Sequence, residues 1–337
     1  MTTTKHTKNQ ISLYPLRFKP TYKYRLWGGR RLSNLLSTPL PNDIPVGEAW
    51  LLSDRDDHAS IVANGPLKGQ SISQLMDRYP EQLLGKMARS FPRFPLLLKF
   101  LDARKMLSVQ VHPTDAHKDL LPACETGKSE AWVVLEAGAK SRIYKGLKPG
   151  TTAEHLRQAL TNGTVTNHLA YFTPKPGDVV FLPAGTVHSM GGDVVVFEIQ
   201  QNSDVTFRLH DWNRVDARTG QSRELQVDQA LACIDFTSGK VGPVTPVVES
   251  TTPIKRERLI HCKHFRMWRL SGKLSFTVGT ELLPHILICI KGSGQVEHGN
   301  TIYDIEKSDL LLLPAVIGAC IFRPHNAVTL LEIALPE

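Results

Sequence analysis

Gln110 and His112 are residues whose types and spacing suit metal binding. They stand two apart in the run Leu-Ser-Val-Gln-Val-His, so on a β-strand their side chains point to the same face. Pro113 follows directly and ends the strand, which places the pair at its rim. Imidazole nitrogens are common zinc ligands, and an amide oxygen is an acceptable one. The pair therefore predicts one side of a metal site.

Glu130 and His188 are two further candidate ligands. Glu130 heads an apolar run after a glycine turn, and His188 follows a tight turn that contains Gly185. Taken singly, each has a plainer interpretation. Most of the 13 histidines are expected on the surface or satisfied in the core, and a lone carboxylate is more often exposed or ion-paired. Spacing alone therefore leaves the metal site open.

Short strands must position these residues. The apolar runs are β-branched or aromatic and are separated by Gly and Pro turns, without alternating helices, which predicts an antiparallel sandwich or barrel. Helical spacing occurs at about 71–90, interrupted at Pro80, and at about 151–162, opened by Thr151 or Thr152. The predicted strands are 13–27, 48–53, 94–101, 107–112, 131–135, 178–182, 194–199, 265–270, 285–290, 295–298 and 309–313.

The charge pattern favours a small anionic substrate over nucleic acid. The chain has 337 residues and a formal charge of +8, from 40 Lys and Arg against 32 Asp and Glu. The basic residues are dispersed and form no long cluster, so no nucleic-acid partner is expected. A few of these cations converging on one pocket would serve an anionic small molecule equally well.

Cysteine usage and hydropathy predict a soluble, cytoplasmic protein. The five cysteines lie far apart without a Cys-x-x-Cys spacing, which fits a reducing compartment. The apolar run 309–322 contains Pro314 and is shorter than the ~20 residues that a membrane span needs. Residues 1–12 are mostly polar, do not resemble a signal peptide, and are predicted to be a disordered tail.

A domain boundary is predicted at 239–253, where proline, threonine and valine are frequent. It separates a catalytic domain at 13–240 from a smaller β domain at 254–337. The segment 308–318 echoes 177–188, which suggests two related barrels. In the second segment Ser308 stands where the first has Gly177. No histidine stands at the position that corresponds to His188, and His325 lies too far along the chain to replace it. The second domain is therefore expected to hold no metal.

Six short motifs follow one another along the chain: Trp27-Gly28, Gly47-Glu-Ala-Trp50, Leu107-Ser-Val-Gln-Val-His-Pro113, Gly127-Lys-Ser-Glu130, Pro183-Ala-Gly-Thr-Val-His188 and Thr206-Phe-Arg-Leu-His-Asp-Trp212. Together they resemble the type I phosphomannose isomerases, a zinc-dependent family with the cupin fold. The spacing from Gly177 to His188 matches the second cupin signature, and the first lies around Gln110, His112 and Glu130. The resemblance runs from about residue 13 to residue 236 and is only general beyond.

The resemblance implies a mainly β fold: a cupin-type β-barrel (jelly roll) with a small helical segment, and a second, degenerate cupin-like β domain. It implies reversible isomerisation of mannose 6-phosphate and fructose 6-phosphate through a cis-enediol. Lys128 matches a family lysine that lines the pocket, and Arg208 matches an arginine at its mouth. One zinc ion per chain is implied, with the ligands Gln110, His112, Glu130 and His188.

The residue that moves the proton is left open. Such an isomerisation needs a base on one face of the sugar, and the candidates are Lys128, Asp204 and His210. The related proteins usually carry an aromatic residue at the position of His210, which argues against a general role of His210 as the base. Arg208 is expected to contact the enediolate or the phosphate, unless it forms a structural salt bridge. Ser108 shares a strand face with Gln110 and could donate a hydrogen bond to the phosphate.

Two other functions compete with the isomerase. An iron-dependent cupin oxygenase is disfavoured by Gln110, because such iron sites use two histidines and a carboxylate. A non-catalytic sugar-phosphate-binding cupin is disfavoured by the complete set of donors together with Lys128 and Arg208. The exact sugar-phosphate preference, the pathway served and the role of the second domain stay open. The protein is expected to be a monomer or a weak homo-oligomer with no membrane partner.

Overall fold

A computed structural model describes residues 12–41, 43–237 and 241–336. The predicted disordered tail therefore lies, apart from Ser12, outside the described residues, as do residues 238–240 at the predicted boundary. The chain is mainly β with several antiparallel sheets, which confirms the predicted fold class. None of the helices in the described part of the chain has the length and apolarity required to cross a bilayer.

Strands in the first part of the chain begin and end as follows: β1 Thr21–Gly29, β2 Val46–Leu52, β3 Leu96–Ala103, β4 Val109–Val111, β5 Glu130–Ala137, β6 Arg142–Leu147, β7 Leu169–Phe172, β8 Val179–Leu182, β9 His188–Gly191, β10 Val194–Gln201, β11 Phe207–His210, β12 Val215–Asp216 and β13 Gln221–Ser222. The strand predicted from residue 13 begins only at Thr21. Pro15 and Pro20 lack the backbone N–H that a continuous ladder requires.

Strands in the second part are β14 Val247–Ser250, β15 Lys255–His261, β16 Arg266–Gly272, β17 Phe276–Val278, β18 His285–Lys291, β19 Ser293–His298, β20 Thr301–Glu306, β21 Leu310–Leu313, β22 Cys320–Pro324 and β23 Val328–Ala334. The strands predicted at 265–270, 285–290, 295–298 and 309–313 all have counterparts here.

Helices occupy the two places where apolar spacing predicted them, and one further helix follows the last strands of the first sandwich. They are α1 Ile72–Arg78, α2 Pro80–Leu84, α3 Ala153–Thr161 and α4 Val227–Cys233, and a 3₁₀ turn at Gly85–Ser90 extends α2. Ser71 and Thr152 each form a capping box with the residue three positions on, which fixes the first turns of α1 and α3. The sequence pattern did not predict α4.

The first part of the chain forms a sandwich of two antiparallel sheets. One sheet has the order β1-β2-β3-β10-β5-β8 and the other the order β11-β4-β9-β6-β7. The strands β3, β5 and β10 are buried along most of their length and direct alternate residues into the sandwich. Trp132, Val196 and Met190 fill this interior beside the candidate ligands.

The second part repeats this architecture. Its sheets have the orders β14-β15-β16-β23-β18-β21 and β17-β22-β19-β20. Strand β21 occupies in its sheet the place that β8 occupies in the first, as the sequence echo predicted. The two six-stranded sheets pack against each other, with Phe100 and Phe197 on one side and Met267 and Ile333 on the other in one continuous core. The division into separate domains at 239–253 remains a prediction.

Candidate metal centre and substrate pocket

His112 and His188 are buried and each is oriented by a backbone carbonyl. His112 directly follows β4, and its Nδ1 lies 2.8 Å from the carbonyl oxygen of Val205. His188 begins β9, and its Nδ1 lies 2.8 Å from the carbonyl oxygen of Thr186. A carbonyl can only accept, so Nδ1 carries the proton in both rings and Nε2 keeps its lone pair. Metal-ligating histidines are held in this way.

Glu130 lies between the two imidazoles. Its Oε2 is 3.3 Å from Nε2 of His112, and its Oε1 is 3.3 Å from Nε2 of His188. The ligand atoms of the three residues all lie within 4.8 Å of one another. Both carboxylate oxygens are buried, and neither accepts a well-aligned hydrogen bond within the described part of the chain.

Gln110 completes the group predicted from the sequence. It pairs with His188 across β4 and β9, and its side-chain amide nitrogen lies 3.2 Å from Nε2 of His188. Exchanging the amide oxygen and nitrogen, which have nearly the same size, would bring Oε1 to that place. Ser108 is buried, and its hydroxyl lies 3.0 Å from the other amide atom; it donates to Oε1 in the first orientation and accepts from Nε2 in the exchanged one. The structure thus places Ser108 behind Gln110, where it orients the amide.

Lys128 is held beside the ligands by a tight turn. Its backbone N–H donates to the carbonyl of Pro113 at 2.9 Å, which ties the segment before β5 to the end of β4. Gly127 allows this approach, because a Cβ atom there would lie 2.5 Å from the backbone nitrogen of Asp115. The Lys128 ammonium is 2.9 Å from Oε2 of Glu130 and 3.2 Å from Nε2 of His112.

Burial and neighbouring charge favour the protonation states that metal binding requires. Burial, reinforced by the charge of Lys128, lowers the pKa of His112 to about 3. Burial also lowers the pKa of His188. Burial alone would raise the pKa of Glu130, but the charge of Lys128 and the contacts with the two imidazoles lower that pKa well below its ordinary value. Neutral imidazoles and an ionised carboxylate are the ligand forms for a cation.

A cavity of about 550 Å³ opens beside these residues. Gln110 and Lys128 line it, and so do Asp204 and Arg208. Nε of Arg208 is buried and has no hydrogen-bond partner within the described part of the chain. Asp211, one of the two carboxylates with which Arg208 could have formed a structural salt bridge, instead pairs with Arg214 and Arg223. The other candidate partner is Asp204. Arg208 is thus placed to meet a ligand's anionic group.

His210 is the one base candidate of the sequence analysis that lies away from the cavity wall. Its ring packs edge-on against Trp212, with the ring centroids 5.3 Å apart. The bulge between Arg208 and His210 in the pairing of β11 with β4 breaks the simple alternation on which the expectation rested.

Three charged residues of the cavity wall were missed by the sequence analysis. Lys99 on β3 lies 3.1 Å from Glu198 on β10 and 3.9 Å from Glu48 on β2. Burial alone would lower the pKa of Lys99, but these two carboxylates raise it; burial raises the pKa of Glu198. All three are charged residues inside otherwise apolar strands, as in Leu-Leu-Leu-Lys-Phe-Leu, and this signal could have found them.

The donor set fits zinc. Two imidazole nitrogens and a carboxylate converge at one buried point, and the carboxylate oxygens are left without well-aligned hydrogen bonds. In the described part of the chain, no other group of three such residues comes together in this way. The cavity reaches this cluster through Gln110 and Lys128, which line its wall. Gln110 lies next to His188, and Lys128 lies next to Glu130.

The chain is similar to known isomerases along most of its length. The family profile "Phosphomannose isomerase type I, catalytic domain" matches residues 15–131. Mannose-6-phosphate isomerase ManA of Bacillus subtilis is 36% identical over 309 residues, which cover 90% of this chain and 94% of that protein. A mannose-6-phosphate isomerase of Streptococcus mutans is 33% identical over 306 residues, covering 90% and 93% of the two chains.

Solved structures show the same architecture. The crystal structure of the mannose 6-phosphate isomerase from Bacillus subtilis superposes with a TM-score of 0.86 at 27% identity, covering 96% of this chain and 99% of that one. A mutant phosphomannose isomerase from Salmonella typhimurium shares the fold, with a TM-score of 0.78 at 15% identity and coverage of 96% and 100%. By the extent of these similarities, the chain belongs to the type I phosphomannose isomerase family.

Proposed function

We propose that the protein interconverts mannose 6-phosphate and fructose 6-phosphate through a cis-enediol, with one zinc ion per chain. The observation that carries the proposal is the buried convergence of His112, Glu130 and His188, beside a cavity whose wall includes Lys128 and Arg208. Membership of the isomerase family supports the reaction and the substrate.

The zinc ligands in this proposal are His112, His188 and Glu130, with Gln110 as the fourth. A bound zinc ion would supply Lewis-acid stabilisation of the negative charge that develops on the sugar oxygens. The carbonyl contacts of the two imidazoles support the assignment, because they direct both Nε2 lone pairs to the same point. Two histidines and a carboxylate also suit iron, so the amide of Gln110 and the family membership are what favour zinc.

The remaining cavity residues bind and orient the sugar phosphate. Arg208 offers a buried, unpaired N–H to the phosphate or to the enediolate oxygens. Lys128 lies 2.9 Å from Glu130 and so is held beside the proposed metal ligands. For the proton transfer between C1 and C2, the cavity offers Lys128, Asp204 and Glu198. The raised pKa of Glu198 brings it closer to the neutral range in which a general acid–base works best.

A turnover assay in deuterated water tests the proposal. Purified protein is incubated with mannose 6-phosphate, and proton NMR follows the appearance of fructose 6-phosphate and of deuterium at C1. The proposal predicts conversion that stops after chelation. Absence of conversion by zinc-loaded protein would refute the isomerase, and binding of the sugar phosphate in that case would favour the non-catalytic cupin. Oxygen consumption in an electrode assay with ferrous iron would favour the oxygenase. The cytoplasmic location and the monomeric or weakly oligomeric state remain predictions.

A further inference from the structure

A small hairpin lies beside the cavity between the strand that carries Arg208 and helix α4. It consists of β12 and β13, in which Val215 pairs with Ser222 and Asp216 with Gln221. Asp216 lines the cavity, as do Arg223 and Gln226 in the segment that follows the hairpin. The hairpin is therefore part of the wall past which a substrate must enter.

Tyr24 on β1 ties this hairpin to the neighbouring cavity wall. Its hydroxyl donates to Oδ1 of Asp216 at 2.8 Å, and the backbone N–H of Arg218 donates to the same oxygen at 2.8 Å. The guanidinium of Arg218 lies 4.4 Å from the centroid of the Tyr24 ring, within cation–π range. The three residues form what we call the clasp: Tyr24, Asp216 and Arg218.

The segment that follows the hairpin holds Arg208. The backbone N–H of Arg208 donates to Oε1 of Gln226 at 3.1 Å, and the N–H of Gln226 donates back to the carbonyl of Arg208 at 2.9 Å. The side chain of Arg208 donates through Nη1 to the carbonyl of Glu224 at 2.9 Å. A displacement of the hairpin would therefore also displace Arg208, because Glu224 and Gln226 follow the hairpin closely in the chain and bind Arg208 directly.

We propose that the clasp holds the hairpin against β1 and thereby positions Arg208 for the phosphate of the substrate. Tyr24, Asp216 and Arg218 are thus positioning residues, which act on substrate affinity through Arg208. The inference rests on the proposed function for the identity of the substrate. Its structural part, a hairpin held by Tyr24 and Asp216, does not depend on the reaction.

Kinetics of Tyr24→Phe and Asp216→Ala test the inference. Each variant is expected to raise KM for mannose 6-phosphate about threefold, because the clasp is partly solvated and such contacts are individually weak. The value of kcat should stay within about twofold, since the metal ligands are untouched. Tyr22→Phe is the matched control: its hydroxyl donates at 2.7 Å to the carbonyl of Thr38, away from the cavity wall. KM should be unchanged in this control.

Limited trypsin digestion provides a readout that needs no turnover. Release of the hairpin should speed cleavage after Arg218 in Tyr24→Phe and Asp216→Ala, relative to cleavage at other sites, as followed by mass spectrometry. The rate in Tyr22→Phe should equal that of the wild type. Mannose 6-phosphate should slow this cleavage in the wild type.

Two results would overturn the inference. One is a KM and a cleavage rate in Tyr24→Phe and Asp216→Ala that match those of the wild type. The other is a change of the same size in Tyr22→Phe, which would show a general effect of losing a hydroxyl from β1. If the wild type itself does not convert mannose 6-phosphate, the proposed function fails, whereas the cleavage rates still decide whether the clasp holds the hairpin.

Discussion

At the scale of single residues, metal binding at the site depends on which ring nitrogen of His112 and of His188 carries the proton. The carbonyls of Val205 and Thr186 hold the Nδ1 protons of His112 and His188, so both Nε2 atoms are free to ligate. The carboxylate of Glu130 supplies the negative charge between them. These contacts come from backbone groups, so a substitution at the ligand itself is the most direct way to disturb the site.

Replacing Gln110 by alanine should weaken zinc binding by at least tenfold and lower kcat for the isomerisation. The amide is the fourth ligand of the proposed site, and its loss leaves three donors and the orphaned hydroxyl of Ser108. Zinc affinity is measured by competition with a chelating dye, and kcat by a coupled assay. Gln158→Ala, at an exposed site on α3, is the control and should match the wild type in both measurements. Equal zinc affinity in the two variants would remove Gln110 from the ligand set.

At the scale of elements, polar residues inside apolar strands line the cavity. Glu48 on β2 accepts two hydrogen bonds from Arg25 on β1, at 2.7 and 3.1 Å, and lies 3.9 Å from Lys99 on β3. It also accepts from the indole of Trp50 at 2.7 Å. Three neighbouring strands are thus joined by one buried carboxylate, which keeps the cations of this wall in fixed places.

Stability should fall with acid through Glu48. Burial alone would raise its pKa, but Arg25 and Lys99 lower it below its ordinary value of about 4.3. A carboxyl whose pKa is lower in the folded state contributes stability above the unfolded pKa. That contribution is lost as the pH falls through about 4 towards the folded pKa. Urea unfolding should therefore show the wild type losing stability between pH 5 and pH 3.

Glu48→Gln should make the free energy of unfolding less dependent on pH between pH 5 and pH 3. The variant leaves Arg25 without its buried counter-charge and leaves Lys99 with Glu198 alone, so it should be about 3 kcal/mol less stable than the wild type at pH 7. The difference should shrink at pH 3. Glu81→Gln, at an exposed position of α2, should follow the wild-type curve. Parallel curves for wild type and Glu48→Gln would show that the carboxylate does not stabilise these strands.

At the scale of the whole molecule, the two sandwiches share a core. Phe181 of β8 and Phe265 before β16 meet across it, with ring centroids 6.5 Å apart in an edge-on arrangement. The N-terminal segment also crosses over, because Leu16 and Leu312 exchange backbone hydrogen bonds at 2.8 and 2.9 Å. The second sandwich therefore supports the face of the sheet opposite to the cavity, and the two parts are expected to unfold together.

Phe265→Ala should lower the free energy of unfolding by about 3–5 kcal/mol, because it empties a fully buried position of this core. Leu274→Ala, at a side chain that is 61% exposed, should change it by less than about 0.5 kcal/mol. Urea unfolding followed by circular dichroism and by tryptophan fluorescence should give one coincident transition for both variants. Two separate transitions in the wild type would show that the sandwiches unfold independently.

The sequence predicted the local features well, because each depends on neighbouring residues. Alternation placed Gln110 and His112 on one face, and the threonines at 151 and 152 marked the start of α3. It missed Lys99 and Glu198, whose contact joins β3 to β10 across about one hundred residues. It also missed the shared core. An apolar run such as 310–313 indicates a strand buried on both faces, but it does not indicate which other sheet packs against each face.

Zinc reconstitution of the metal-free protein tests the central claim most directly. Protein stripped with a chelator is titrated with zinc while conversion of mannose 6-phosphate is measured, beside His188→Ala and the control His325→Ala at an exposed position. Wild type and His325→Ala should regain activity in proportion to added zinc and saturate at about one equivalent per chain, whereas His188→Ala should regain none. Full activity in the stripped wild type, or recovery of His188→Ala to the wild-type level, would contradict the account.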